Sequence, residues 1–250
     1  MCLHILFFYF NTFDMINPIT QVGNHLKALI FPKLCYLCNS HTPLGDNNFC
    51  IHCTTNFPYS NHFKVHENEA YFRLAGRFDF VVAKSLIQFY ENTDVQWMMH
   101  NIKYQGRKDI ASYLGKMAGE KWLNTNVSLP KIDAIVPVPL HPFKRKLRGY
   151  NQAEIMANGI GEVLNAIVIP NILQKTINTN SQTRLSRMKR INNVIDSFSL
   201  SDNTENLLGK HILLVDDVLT TGATLEACGR QLELIPNIKL SVLTICIVMR

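Results

Sequence analysis

The sequence predicts an α/β protein in which helices flank an open, mostly parallel sheet, with a small four-cysteine module near the N-terminus. From residue 134 onward, short apolar runs alternate with segments whose apolar residues recur at helical spacing. The runs are rich in Val, Ile and Leu, as expected of strands buried on both faces of a parallel sheet. Four of the seven cysteines form two Cys-x-x-Cys pairs. Alternating strands and helices favour a parallel sheet that binds ligands beyond the carboxyl ends of its strands.

Before residue 134, the pattern is less regular. Residues 70–90 are aromatic and β-branched, which predicts strand-like structure with a turn at Gly76. Residues 94–106 and 108–123 have apolar side chains at helical spacing, so we expect two helices there.

The later elements follow in regular order. Residues 134–138 predict a short strand, and Pro137 and Pro139 require an extended exit from it, because proline restricts its own φ and the residue before it. Asn151 is a suitable cap for the next helix. The remaining predictions are a helix at 151–165, strands at 166–173 and 211–215, a helix at 224–235 and a last strand at 240–248.

Composition places the chain among globular proteins. It has 250 residues, of which 47% are hydrophobic and 18% charged, so disorder is not expected. The apolar run at residues 1–10 is far shorter than the ~20 residues of a membrane-spanning helix, and it lacks the basic flank of a signal peptide. We therefore expect a cytoplasmic protein without a membrane span, with an N-terminal extension over residues 1–30. Met15 is an alternative start.

The net charge of +6 is unevenly distributed. Residues 134–153 and 163–195 contain no Asp or Glu but several Lys and Arg, among them the basic run 184–190. Such stretches indicate an anionic partner, either a phosphorylated small molecule or a nucleic acid. For any single cation, a solvated loop or helix face is the simpler interpretation.

The cysteine spacing predicts a metal site. Cys35 and Cys38 form one pair, Cys50 and Cys53 the other, and eleven residues separate the pairs. Two such turns can complete a tetrahedral sulfur shell for Zn²⁺. Disulfides are the weaker alternative in a reducing compartment. Because the protein would fill all four positions, the zinc would be structural. We expect this zinc-ribbon module at residues 31–60.

The segment 211–224 predicts a ligand site. An apolar strand runs into Asp216 and Asp217, and a short loop then leads into a helix. The loop residues are Thr220, Thr221, Gly222, Ala223 and Thr224. Backbone N–H groups at such a turn and helix N-terminus suit a phosphate monoester. The two carboxylates suit the vicinal hydroxyls of a ribose, either as hydrogen-bond acceptors or through a metal ion. The alternative is that these residues only cap a turn and a helix.

Several segments resemble a known family. LLVDDVLTTGAT at 213–224 resembles the 5-phosphoribosyl-1-pyrophosphate (PRPP) motif of type I phosphoribosyltransferases, and 135–154 resembles the PVPL…RG[FY]NQ signature of the ComF/GntX family. Residues 102–111 and 181–198 resemble two further blocks of that family, and the four-cysteine module completes the arrangement. The resemblance runs from about residue 30 to the last residue, and only the first 25–30 residues fall outside it.

The resemblance implies a type I phosphoribosyltransferase-like domain at 61–250 that binds PRPP or a related phosphorylated ribose. Asp216 and Asp217 would hold the ribose hydroxyls, and the loop at 220–224 would hold the 5-phosphate. Pro139, Leu140 and His141 would lie near the pyrophosphate, while Arg148 and the basic run 184–190 would close over the diphosphate. Mg²⁺ would accompany the diphosphate.

The sequence is compatible with three functions. The first is transfer of a phosphoribosyl group to an unknown acceptor, for which no catalytic residue can be assigned. The second is binding of a phosphorylated sugar or nucleotide without catalysis. The third is a non-catalytic role in competence and DNA uptake, which the resemblance implies for some relatives, with single-stranded DNA or a helicase as partner.

Overall fold

A computed structural model describes residues 33–249 except 41–42, 45–46, 92 and 176–196. The chain divides into two units, the first ending at Thr55 and the second beginning at Asn56. The expected extension at 1–30 and the basic run 184–190 lie outside the described residues. None of the helices in the described part of the chain is both long and apolar enough to cross a membrane.

The first unit is built around its cysteines. A turn follows Cys35, and the left-handed backbone of Asn39 (φ 54°) ends it. The backbone N–H of Tyr36 donates to the carbonyl of Asn48 at 2.9 Å, which brings the two Cys-x-x-Cys segments together. The second pair lies at the start of a short helix, α1 (Ile51–Thr55).

The described part of the second unit contains a five-stranded parallel sheet and a two-stranded antiparallel ribbon. In spatial order, the sheet consists of β1 (Ala83–Phe89), β7 (Lys239–Val248), β6 (His211–Leu219), β2 (Ala134–Pro137) and β3 (Ile167–Val168). The ribbon pairs β4 (Leu173–Lys175) with β5 (Phe198–Leu200). The central strands β6 and β7 are buried over nearly their whole length. The predicted α/β class with a parallel sheet is confirmed.

Helices connect the strands. In chain order they are α2 (Glu69–Leu74), α3 (Asp94–Tyr104), α4 (Lys108–Leu123), α5 (Pro142–Arg148), α6 (Gln152–Leu164) and α7 (Ala223–Leu232). A short 3₁₀ turn spans Glu205–Leu207. Gly106 (φ +69°) separates α3 from α4, and the side chain of Asn151 caps α6 by accepting from the N–H of Ala153 at 3.2 Å. The helices predicted at 94–106, 108–123, 151–165 and 224–235 are therefore confirmed, apart from small differences at their ends.

Two predicted segments are wrong in part. The segment 70–90 begins as helix α2, because the side chain of Asn68 accepts hydrogen bonds from the N–H groups of Ala70 and Tyr71 and caps a helix there. The segment 166–173 forms only β3 and the start of β4, with a turn between them at Pro170.

Helix α5 had no sequence prediction. It begins with Pro142 in its first turn and ends at Gly149, whose φ of +79° needs the left-handed region that glycine tolerates. None of its residues is buried, and Phe143 and Leu147 are both exposed. A helix without a buried face gives no apolar periodicity to detect.

The order of the strands places a crevice between β2 and β6. From β2 the chain continues through α5 and α6 to β3 on one side, whereas from β6 it continues through α7 to β7 on the other. This reversal is a topological switch point, and ligands of open α/β sheets bind outside the carboxyl ends of the strands at such points.

Close packing of α4 on α6 positions one wall of this crevice. A Cβ atom on Gly115 would lie 2.3 Å from the carbonyl oxygen of Met156, and one on Gly159 would lie 2.6 Å from that of Ser112. The two helices therefore approach backbone to backbone, which only glycine permits. This contact holds α6, and with it Gln152 at its first position, against the rest of the unit.

Candidate functional site

The acidic pair lies at the crevice between β2 and β6. Pairing of β6 with β2 ends at Val215, one residue before the pair, whereas pairing with β7 continues through Asp216 to Leu219. Asp216 and Asp217 are thus part of strand β6 but have already passed the end of β2. Asp216 is half-buried and Asp217 is buried. The sheet therefore brings two carboxylates to the switch point predicted for a ligand.

Asp217 has two protein partners. The Nζ of Lys103, near the end of α3, lies 2.9 Å from Asp217 Oδ2. The side-chain amide of Gln152 donates to the same oxygen, also at 2.9 Å. A buried carboxylate is thereby compensated by one ammonium and one amide.

Arg148 extends this network outward. Its guanidinium donates to Gln152 Oε1 at 3.1 Å and to the hydroxyl of Tyr104 at 3.4 Å, and it lies 5.1 Å from the centre of the Tyr104 ring. Arg148, which the resemblance assigned to the site, is therefore linked to Asp217 through Gln152. Its guanidinium and the Tyr104 ring form a cation–π contact.

The surroundings of Asp216 and Lys103 shift the pKa values of both groups. Burial, followed by the neighbouring charge of Asp217, raises the pKa of Asp216 to about 7, although the backbone N–H of Asp217 donates to Asp216 Oδ1 at 2.8 Å and opposes this effect. Burial alone would lower the pKa of Lys103, but the carboxylates of Asp217 and Asp216 outweigh it and raise that pKa. The ion pair between Lys103 and Asp217 is therefore the stable charge state of the site.

Residues of helix α2 contact the loop that follows β6. Gly222 has a φ of +83° and is buried, and a Cβ atom there would lie 2.8 Å from Leu74 Cδ2. The guanidinium of Arg73 donates to the carbonyl of Thr220 at 2.9 Å. Gly222 is the N-cap of α7 and offers no side chain to its first turn, whose N–H groups include those of Ala223 and Thr224. The loop therefore places backbone N–H groups at a helix N-terminus, an arrangement that suits an anion.

Pro139, Leu140 and His141 follow β2 on the other side of the crevice. His141 Nδ1 accepts from the N–H of Phe143 at 3.2 Å and caps α5. Pro139 and Leu140 line a cleft of about 490 Å³ together with Pro142, Arg145, Asn151, Pro170, Asn171, Leu173, Gln174 and Lys175. The pKa of Lys175 is lowered by burial, and its charge also interacts with that of Asp216. This cleft combines an apolar wall with two cations.

The four cysteines of the first unit form one cluster. The Sγ atoms of Cys35, Cys38, Cys50 and Cys53 lie within 4.8 Å of one another, and none of the four forms a disulfide. Two of these sulfurs, of Cys38 and Cys50, are 3.9 Å apart, close to the ~3.8 Å that tetrahedral Zn–S bonds of ~2.3 Å require. The cluster could hold a metal ion such as zinc, as the spacing predicted.

Some residues of the site were not found from the sequence. Lys103, Gln152 and Tyr104 fall in segments quoted for the resemblance, but no pattern linked them to Asp217. Arg73 lies in the segment predicted as strand. Only packing brings these side chains together, so no local signal could have found them.

Comparison with known proteins supports the class of protein that this geometry suggests. The family model described as "Phosphoribosyl transferase domain" matches residues 148–249. The chain therefore combines an N-terminal four-cysteine cluster with a parallel α/β sheet, and the part of that sheet unit from residue 148 onward is similar to a phosphoribosyltransferase domain.

Several curated proteins are similar to a larger part of the chain. Competence protein F of Haemophilus influenzae is 27% identical over 209 residues, which cover 80% of this chain and 90% of the relative. Competence protein ComFC of Bacillus subtilis is 24% identical over 200 residues, covering 80% and 78%. DNA utilization protein YhgH of Escherichia coli K12 is 31% identical over 139 residues, covering 54% of this chain and 59% of that protein. The chain is thus similar to proteins named for competence and for DNA utilization, and over residues 148–249 to a phosphoribosyltransferase domain.

Proposed function

We propose that the crevice between β2 and β6 binds PRPP or a related phosphorylated ribose. The observation that carries this proposal is the acidic pair at the switch point, followed directly by a glycine-capped loop at the N-terminus of α7. Asp216 and Asp217 accept hydrogen bonds from the ribose hydroxyls. The N–H groups and hydroxyls of the loop, from Thr220 to Thr224, bind the 5-phosphate.

The diphosphate is expected on the β2 side of the crevice. Pro139, Leu140 and His141 border this side, and Lys175 and Arg148 supply positive charge near it. Mg²⁺ bound to a diphosphate keeps several waters and needs few protein ligands, so a crevice with oxygen acceptors and cations suits the hydrated complex. The basic run 184–190, outside the described residues, is a further candidate for this role.

Transfer of the phosphoribosyl group to an acceptor is the reaction that this layout suits. Mg²⁺, when bound, supplies charge stabilisation to the leaving pyrophosphate. The chain's cations would add to it, while the two aspartates hold the ribose as its anomeric carbon gains positive charge. No side chain is assigned to the acceptor, and we make no proposal for its identity.

Calorimetric titration with PRPP and Mg²⁺ tests the site. We expect saturable binding to the native protein and none to the variant carrying both Asp216→Ala and Asp217→Ala. Asp109→Ala is the matched control, because Asp109 pairs with Arg107 on the surface. If the native protein shows no heat of binding at millimolar PRPP, the proposal is wrong. If PRPP does bind, release of pyrophosphate on addition of candidate acceptors would distinguish an enzyme from a binding protein.

The cysteine cluster is proposed to hold one structural Zn²⁺ per chain. The sulfur separations support it, and with four thiolates bound the ion would have no position for a reacting water. Elemental analysis of protein purified without chelators should find about one zinc per chain, and Cys50→Ser should reduce that content. Cys228→Ser is the control, because Cys228 lies in α7 of the second unit. A metal-free native protein would contradict this assignment.

A second candidate function is a role in DNA uptake in the cytoplasm, with single-stranded DNA or a helicase as partner. Two observations favour it, namely the names of the relatives and the exposed helix α5, which carries Lys144, Arg145, Lys146 and Arg148 and no acidic residue. Affinity for single-stranded DNA should fall steeply with salt concentration, and Lys144→Ala with Lys146→Ala should flatten that dependence. If the protein does not bind single-stranded DNA even at low salt, single-stranded DNA is rejected as a partner.

A further inference from the structure

We propose that a cleft beside β1 binds a mononucleotide and is a second site, separate from the crevice between β2 and β6. The cleft has a volume of about 640 Å³, which lies within the ~300–1,000 Å³ of small-molecule sites. None of the described residues that line it borders the crevice, and in the sheet β7 stands between β1 and β6. The proposal therefore does not depend on the proposed function.

One wall of the cleft is fixed to the edge of the sheet. Residues 58–60 run antiparallel to the outer edge of β1. The backbone N–H of Ser60 donates to a carbonyl of β1 at 2.9 Å, and the carbonyl of Pro58 accepts from an N–H of β1 at 3.0 Å. These two hydrogen bonds lie on either side of Tyr59, so they fix the backbone that carries its ring.

The opposite wall is formed by the end of α4 and the residues that follow it. The hydroxyl of Thr125 donates to the carbonyl of Phe63, which lies 62 residues earlier in the chain, and accepts from the N–H of Val127 at 3.2 Å. This side chain joins the segment after α4 to the segment after residue 60. Hydrogen bonds thus hold both walls, and the cleft is formed before a ligand binds.

Tyr59 offers an aromatic ring to the cleft. It is 40% exposed, and the ring of Phe57 packs against it with centres 4.5 Å apart. The Nζ of Lys121 lies 4.4 Å from the centre of the Tyr59 ring, in a cation–π contact. When a nucleotide binds, the flexible lysine turns to the phosphate and the base stacks on the ring in its place.

Two lysines supply positive charge. Lys64 and Lys121 both line the cleft, and within the described residues neither is paired with a carboxylate. Burial, followed by the charges of Tyr113 and Glu120, raises the pKa of Tyr59, so its hydroxyl is a hydrogen-bond donor at neutral pH. Two ammonium groups outweigh the one carboxylate that acts here, and an ammonium is a good partner for a phosphate.

Carboxamide side chains supply the groups that would read a base. Four of them line the cleft, namely Asn61, Gln88, Asn124 and Asn126. Within the described residues, none of these side chains forms a hydrogen bond to the protein. Each has a donor and an acceptor side by side, the pattern that pairs with the edge of an adenine base. A nucleotide uses the ring, the carboxamides and the ammonium groups together, whereas a phosphate ion alone would use only the last.

Photolabelling of the native protein with an azido derivative of AMP tests the location without any variant. After irradiation and digestion, mass spectrometry should find the label in residues 57–64 or 121–126. Unlabelled AMP should protect these peptides, and inorganic phosphate should need at least about tenfold higher concentrations, because it lacks the base that stacks. Protection by a single-stranded oligodeoxyadenylate at lower concentration than AMP would assign the cleft to a nucleic acid strand and overturn the proposal.

Matched variants measure what each group contributes. The AMP concentration that half-protects the cleft should rise about tenfold in Tyr59→Ala, because the base loses its stacking partner. Tyr90→Ala is the control, since Tyr90 is 59% exposed just beyond β1 and does not line the cleft. Lys121→Met should also weaken AMP about tenfold but change protection by adenosine less than about twofold, because only AMP carries the phosphate. Lys116→Met should have no effect, since Lys116 pairs with Glu162 outside the cleft.

The outcomes separate this site from the crevice. Label confined to residues 213–224 would overturn the proposal and place the nucleotide in the crevice instead. Equal protection of native protein and Tyr59→Ala by AMP would overturn it as well, and so would a native protein in which AMP protects no labelled peptide. Failure of PRPP to bind would reject the proposed function and leave the labelling of this cleft unchanged.

Discussion

Two lysines of the second unit, Lys84 buried and Lys103 half-buried, are held by different kinds of partner. Lys103 is paired with the carboxylate of Asp217. Lys84, on β1, is 0% exposed and donates to two backbone carbonyls, those of Val65 at 2.6 Å and His66 at 3.3 Å. The pKa of Lys103 is raised by its carboxylate neighbours, whereas burial lowers the pKa of Lys84 to about 8.

The partner decides what each lysine can do. Carbonyl groups compensate only part of the lost hydration, so Lys84 loses its proton at a lower pH than an exposed lysine. Its two hydrogen bonds attach the segment before α2 to β1. His62 beside it behaves similarly, because burial and the nearby charge of Lys84 lower its pKa to about 4. Lys103 keeps its charge and stabilises the carboxylate of Asp217, which is proposed to bind the ligand. Lys84 therefore has a structural role, whereas Lys103 is part of the candidate site.

The largest effect is expected from removing the carboxylate that Lys103 contacts. Asp217→Ala leaves a half-buried ammonium without its partner, which should lower the free energy of unfolding by about 3 kcal/mol at pH 7. Urea titration followed by circular dichroism measures this. The double variant Lys103→Met with Asp217→Leu should regain most of the loss, because it removes both charges. A double variant as unstable as the single one would show that the loss has another cause.

The second-largest effect distinguishes Lys84 from Lys103 by the pH dependence of the free energy of unfolding. Between about pH 8 and 10.5, Lys84 is neutral in the folded protein and cationic in the unfolded chain, so the unfolded state binds more protons and stability rises with pH. The native protein should therefore gain up to about 3 kcal/mol relative to Lys84→Met across this range. The difference between native protein and Lys103→Met should stay flat there, because a raised pKa keeps its contribution until the pH exceeds about 10.5. Parallel slopes for both variants would contradict the comparison.

Asp216 should show the opposite pH dependence. Its raised pKa means that the folded state binds a proton between about pH 4 and 7 that the unfolded chain has already released, so native stability falls as the pH rises through this range. Relative to the native protein, Asp216→Asn should thus gain about 2 kcal/mol of stability as the pH rises from about 4 to above 7. This is about half of what the full difference in pKa would give, because solvent screens the half-exposed side chain. The same variant should lose affinity for ribose 5-phosphate. A stability difference between the two proteins that does not change with pH would refute the assigned shift.

An exposed ion pair gives the smallest effect. Lys116 and Glu162 lie 2.7 Å apart, with side chains 40% and 65% exposed. Lys116→Met should change the free energy of unfolding by no more than about 0.5 kcal/mol, because solvent screens the pair. A loss comparable to that of Asp217→Ala would mean that burial does not explain the behaviour of Lys103.

Much of the fold could be predicted because its signals are local. Short stretches of sequence are enough to predict the apolar strands β2, β6 and β7, the helix capped by Asn151 and the cysteine pairs. The residues 70–74 were assigned wrongly because Tyr71 and Phe72 favour strands, whereas the cap at Asn68 and packing favour a helix. The partners of Asp217 could not be predicted, because Lys103 and Gln152 reach it only after α3 and α6 have packed on the sheet.

The position of β7 has a consequence for how the protein folds during synthesis. This strand pairs with β1 on one side and with β6 on the other, yet among the described strands it is the last to leave the ribosome. Until residues 239–248 emerge, β1 lacks its neighbour in the sheet and the β2–β6 pair remains apart from it. Formation of the central sheet is therefore a late event, and chains stalled before Lys239 expose unpaired strand edges that invite aggregation or chaperone binding.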